Sequence, residues 1–177
     1  MKTKLLSALI IGGAVIASQG AFAADGTITF NGMLTAQTCT INGGTGKDFT
    51  VTLPTVSTST LNGDGTVAGR TPFTISLTNC SPASGAATTF FEAGPTTDLT
   101  TGRLIVADGG ATKVQIELLN KNFTPIQAGF AAASQNDVPV SLSSGAADLQ
   151  YYAQYHATGV ATAGAANSSV IYTIAYQ

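Results

Sequence analysis

Beyond its first two dozen residues the chain alternates apolar and polar positions at a period of two, in short runs. That is the spacing of a half-buried β-strand, not of a helix. Residues 26 to 34 form one run, and Phe49 to Leu53 a second, closed by Pro54. Pro72 to Cys80 places Phe73, Ile75 and Leu77 on one face. Val114, Ile116 and Leu118 alternate with Gln115 and Glu117. Val138 to Leu142, Leu149 to Thr158 and Ser169 to Tyr176 complete the set. Asn42-Gly43-Gly44, Asn62-Gly63-Asp64-Gly65 and Asp108-Gly109-Gly110 separate the runs with residues that tolerate positive φ. Six or seven short strands without an amphipathic helix predict one all-β domain, an immunoglobulin-like sandwich.

The first 23 residues break this pattern. Lys2 and Lys4 precede an apolar run from Leu5 to Ala17, and Ala21-Phe22-Ala23 follows. A basic start, an apolar stretch and a small-residue cleavage site make a secretory signal. The run is shorter than the ~20 apolar residues that span a bilayer. Residues 1–23 are therefore expected to be cleaved, and the product exported. Export changes the meaning of the two cysteines. In an oxidising compartment Cys39 and Cys80 have one internal pairing available, a disulfide.

Composition narrows the function. Only 9% of the 177 residues are charged and 44% are hydrophobic. Without Lys2 and Lys4, five basic residues face nine acidic ones, a net charge of about −4. Nucleic-acid binding needs clustered Lys and Arg, so no nucleic acid is expected. One histidine and two cysteines are too few for a structural zinc site, and no cofactor is expected. His156 has neither a nucleophile elbow nor a paired carboxylate near it in sequence, which argues against an enzyme. The Gly43–Asp48 stretch has Asp48 where a phosphate loop needs Ser or Thr, so it is a turn. Tyr151, Tyr152 and Tyr155 lie in an alternating strand, where packing is the simpler role than sugar stacking.

The two ends carry the unusual information. If residues 24–34 are extended, Gly26, Ile28 and Phe30 project to one side. Such an arm must pair with a sheet edge, its own or another chain's. At the other end Val170, Tyr172, Ile174 and Tyr176 share a face of a strand running to Gln177. In a sandwich that strand presents either an ordinary edge or a groove missing a neighbour. On the residues alone two readings stand: a subunit that polymerises through its ends, or a self-contained secreted β-sandwich that binds carbohydrate or protein.

The chain resembles the pilin subunits of chaperone–usher fimbriae of Gram-negative bacteria, close to the type 1 fimbrial major subunit. The segment Gly26-Thr27-Ile28-Thr29-Phe30-Asn31-Gly32 resembles that family's N-terminal donor strand. Thr35 to Ile41 and Leu77-Thr78-Asn79-Cys80 resemble its two cysteine strands, and Tyr151 to Gly159 its late aromatic strand. Tyr176, with Gly164 fourteenth from the terminus, matches its C-terminal signature. The resemblance implies a sandwich lacking its last strand (residues 35–177) with a donor arm (residues 24–34). It implies a structural fimbrial subunit that polymerises by donor strand exchange and supports cell adhesion. Gly26, Ile28 and Phe30 would be the donor residues. Gly164, Val170, Tyr172, Ile174, Tyr176 and Gln177 would form the acceptor groove and the chaperone contact. The implied partners are other subunits of the homopolymer, a periplasmic chaperone and an outer-membrane usher, on a route through the periplasm to the cell surface. Many family arms have several residues before the glycine; here only Ala24 and Asp25 would precede Gly26.

Overall fold

A computed structural model describes residues 27, 29, 31, 32, 34, 36–42 and 47–177. The signal segment and the donor residues Gly26, Ile28 and Phe30 lie outside these. The chain divides into two units, Met1–Met33 and Leu34–Gln177. In the first, the described residues Thr27, Thr29, Asn31 and Gly32 are exposed and belong to no strand or helix.

The second unit is all-β. Its strands are β1 (Thr38–Ile41), β2 (Val67–Ser81), β3 (Ala86–Phe91), β4 (Leu104–Ile105), β5 (Val114–Leu119), β6 (Val140–Ser141), β7 (Ala147–Ala157) and β8 (Tyr172–Tyr176). They form two antiparallel sheets, one in the order β1-β2-β7-β5-β4 and one in the order β6-β3-β8. The long strands hold the larger sheet in register: Ile75 lies opposite Leu149, and Ile116 opposite Tyr155. Because side chains alternate, this register turns Ile75, Leu77, Ile116, Leu118, Leu149 and Tyr151 together toward the smaller sheet. There they meet Ala87 and Phe91 from β3. The Phe91 ring stands edge-on to that of Tyr151, with centroids 5.3 Å apart. A second cluster, Leu61, Val106, Val114, Ala157 and Ala161, fills one end.

Cys39 and Cys80 are joined, tying β1 to β2 next to their Thr38–Ser81 pairing. The turn chemistry lies where the residues suggested: Asn42, Gly65 and Gly109 all have positive φ.

Several expectations change. Alternation marked none of β1, β3 and β4, and the described strands number eight instead of six or seven. Ala86-Ala87-Thr88-Thr89-Phe90-Phe91 hides its pattern because Thr89 faces inward and is buried. The run Phe49 to Leu53 has no strand partner among the described residues. The last strand begins at Tyr172, not Ser169, and β6 keeps only Val140–Ser141 of the expected Val138 to Leu142. Glu117, on the outer face of the larger sheet, is buried at 4% exposure. Arg103 Nε donates to it at 3.0 Å and Gln154 Nε2 at 2.7 Å, so its charge is compensated where it lies.

Candidate functional site

β8 is the last strand of the smaller sheet and pairs only with β3. Its odd positions face that partner: Gln177 N–H donates to Ala86 O, and Ile171 O accepts from Glu92 N–H. By antiparallel alternation the main-chain groups of Tyr172, Ile174 and Tyr176 point the other way. Among the described residues they meet no backbone partner there.

Alongside this bare edge runs an open groove of about 860 Å³. One wall is β8 itself, through Tyr172, Ile174 and Tyr176. The facing wall is the segment after β1, where Phe49, Val51 and Leu53 alternate with exposed Thr50 and Thr52. The floor is the inner face of the larger sheet, including Phe73, Ile75, Ile116 and Leu118. Val170 lines one end, and Cys39 and Ile41 from β1 also border it. Phe49 spans the walls: its ring lies 6.2 Å from Tyr172, edge-on, and 6.2 Å from Phe73.

The electrostatics are those of an apolar trough. Burial raises the Tyr172 and Tyr176 hydroxyls above the ordinary tyrosine value, and Asp48 adds to the effect at Tyr172. Both hydroxyls stay protonated, and Tyr172 Oη donates to Lys47 O at 2.7 Å. Among the described residues no group of His, Cys, Asp or Glu could hold a metal ion. What the groove offers, among the described residues, is a row of unpaired peptide groups beside an apolar trough. That arrangement suits an extended segment whose alternate side chains point down.

Val170, Tyr172, Ile174 and Tyr176 are thus brought together. Gly164 and Gln177 are not groove-lining. Gly164 borders a second cavity of about 310 Å³, with Val56, Leu61, Val114 and Tyr155. Its φ is +156°, and a Cβ there would fall 2.7 Å from Ala111 N, so glycine lets that loop close on the loop between β4 and β5. Gln177 is tied by its main chain to Ala86. Its carbonyl oxygen would lie 2.8 Å from a Cβ at Gly85, where φ is +120°. The facing wall of Phe49, Val51 and Leu53 was not assigned to the groove from sequence. The signal was the alternation ending at Pro54, without an indication of what it faced.

His156 lies elsewhere, on the outer face of the larger sheet beside Glu117. Its Nδ1 is 3.3 Å from Glu117 Oε1 but makes no hydrogen bond. The three tyrosines divide. Tyr151 is buried in the core, Tyr155 packs against both core clusters, and Tyr152 stacks outward on Phe123 at 4.7 Å.

The sequence and the fold were compared with known proteins. The family model for type-1 fimbrial protein, A (FimA) matches residues 53–177. The chain is 53% identical over 161 residues to the major fimbrial subunit SMF-1 of Stenotrophomonas maltophilia (strain K279a), covering 88% of this chain and 94% of that one. It is 47% identical over 170 residues to the F17 fimbrial protein of Escherichia coli, covering 93% and 94%. Among solved structures, a chain of a chaperone–usher pilus superposes with a TM-score of 0.61 at 21% identity, covering 87% of this chain and 96% of that chain. The shared fold is immunoglobulin-like.

Proposed function

The chain belongs to the type-1 fimbrial protein family, and from that membership we propose that each subunit fills the groove of its neighbour with its own N-terminal arm. The protein is a structural subunit of a surface fimbria, and subunits of this kind assemble into polymers. The proposal concerns how they join. The observation behind it is the bare edge of Tyr172, Ile174 and Tyr176 above an apolar trough. A strand laid there gains main-chain hydrogen bonds along its length and a depression for every second side chain.

The segment from residue 24 to 34 has the matching pattern. Ile28 and Phe30 would enter adjacent depressions, and burying both contributes roughly 3–6 kcal/mol. Gly26 would face a narrow place. A slip of one residue would turn Thr27 and Thr29 inward, so the pattern sets the register. The contact is head-to-tail and does not close on itself, which yields a filament.

An exposed groove of this kind is a hazard before assembly. The proposal therefore includes a periplasmic chaperone that lends a strand of its own until the arm of the next subunit replaces it at an outer-membrane usher. The C-terminal carboxylate of Gln177 would anchor in the chaperone's cleft. Residues 1–23 would direct export to the periplasm, and Ala24 would begin the mature arm.

The test is deletion of Ala24–Gly32 with the chaperone co-expressed. The expected outcome is a chaperone-bound subunit that no longer polymerises. Fibres of normal length from that deletion would refute the proposal.

A further inference from the structure

Resting on that reading, we infer that Gln135 and Asp137 decide which edge of the smaller sheet accepts an arm, by closing the outer edge of β3 with side chains that imitate a strand. β3 has β8 on one side. On the other, the main-chain groups of Ala87, Thr89 and Phe91 point outward. β6 covers only the first of these, pairing Val140 with Ala87 and Ser141 with Ala86. In that register Val138 would come opposite Thr89, but no such pair forms.

Beyond that point side chains take over. Asp137 Oδ2 accepts from Thr89 N–H at 2.6 Å. Gln135 Oε1 accepts from Phe91 N–H at 2.9 Å, and its Nε2 donates to Phe91 O at 2.8 Å. A carboxamide that both accepts from and donates to one residue reproduces the exchange of an antiparallel strand pair. Gly129 N–H also donates to Phe91 O, at 2.9 Å.

Both side chains are fixed for this task. Gln135 is 1% exposed, and its Nε2 donates a second time, to Phe130 O at 2.9 Å. Asp137 accepts from Tyr151 Oη at 2.9 Å through Oδ1. Between them Asn136 adopts φ +63°, a left-handed conformation that interrupts a regular strand. Residues 135–139 thus run along β3 without forming a strand, and β6 beyond them is only two residues long. The sheet is left with one edge of useful length, β8.

The test uses the full mature chain carrying Phe30→Arg, whose own arm cannot dock, titrated with a synthetic peptide of residues 24–34. Peptides bound per subunit are counted by native mass spectrometry, and amide exchange at Thr89 and Phe91 is followed by NMR. The parent chain is expected to take one peptide. Adding Gln135→Met or Asp137→Ala frees part of the β3 edge, and a second peptide then binds and slows exchange at that edge. Asp137→Asn keeps an oxygen for Thr89 N–H and returns the count to one. Asp137 is only half-buried, so its variants report even if the Gln135 change prevents folding. One peptide on the parent and one on folded Asp137→Ala would overturn the inference alone. No peptide on the parent would overturn the arm-in-groove reading beneath it.

Discussion

The two faces of the larger sheet are finished to different degrees. Its outer face carries a closed polar chain: Arg70 Nε donates to Gln154 Oε1, Gln154 Nε2 to Glu117 Oε2, and Arg103 Nε to Glu117 Oε1. Its inner face, along Phe73, Ile75, Ile116 and Leu118, forms the floor of a trough whose bordering strand lacks a second neighbour. Both faces are built on the same strands, β2, β5 and β7. On the outer face a buried carboxylate is held by hydrogen bonds, although Gln115 Oε1 and His156 Nδ1 there have no hydrogen-bond partner. Among the described residues the bare backbone edge lies beside β8, and it borders an apolar trough. A strand from another molecule can supply what is missing with ordinary backbone and two or three apolar side chains.

The strongest way to break the contrast is to loosen the groove's border. Cys39–Cys80 fastens the short β1 to β2 at the end of the trough. A crosslink over a sequence separation of 41 residues is worth about 4 kcal/mol in the chain-entropy model. Replacing both cysteines by serine is expected to remove a large fraction of a domain's net stability. Chemical denaturation of the purified variant should show an early transition or none. A midpoint unchanged from the parent would mean that β1 is held by its pairing alone.

Next in size is a change to the trough that leaves the outer face untouched. Ile174 is half-buried between Tyr172 and Tyr176, and its main chain lies on the bare edge. Ile174→Asp would set a charge where a donor side chain must pack. The loss of apolar burial alone is about 1.5–3 kcal/mol, or roughly tenfold to more than a hundredfold weaker capture of the arm peptide. Titration with a peptide of residues 24–34 reads this directly. Phe30→Arg is its mirror on the donor side: that subunit should receive an arm yet fail to insert its own. Fibres of normal length from Phe30→Arg would remove Phe30 from the contact.

What was legible beforehand follows the same division. Period-two alternation located the strands whose two faces differ, β2, β5, β7 and β8, because each has core on one side only. It missed β1, which is four residues long, β3, whose inward row includes a buried threonine, Thr89, and β4, which is two residues long. The β8 wall of the groove was legible from Val170, Tyr172, Ile174 and Tyr176. The facing wall was not, because Phe49, Val51 and Leu53 gain their meaning from what they face across a gap, and one strand's pattern does not encode the distance to the next. Gly164 was placed in the groove by resemblance, whereas its close approach to Ala111 answers to loop packing.

The smallest effect sharpens the contrast from the polar side. Burial pushes the Glu117 carboxyl up, but hydrogen bonds from Gln154 and Arg103 and the charges of His156 and Arg103 outweigh it, so the group titrates below the ordinary carboxylate range. A carboxyl whose folded value lies below its unfolded value adds stability above the unfolded value. That increment fades as pH falls through the folded one. Glu117→Gln should therefore cost about 1–3 kcal/mol at neutral pH, since Arg103 loses its charged partner in a buried setting. The difference between variant and parent should begin to shrink as pH falls past the ordinary glutamate value and be lost once it passes the lower folded value, where the parent's carboxyl also becomes neutral. Urea unfolding of both chains at neutral and acid pH measures it. Binding of the arm peptide at neutral pH should be the same in both, because Glu117 faces away from the trough. A parallel loss of peptide affinity would mean that the two faces of the sheet are coupled, and that the open groove depends on the polar network behind it.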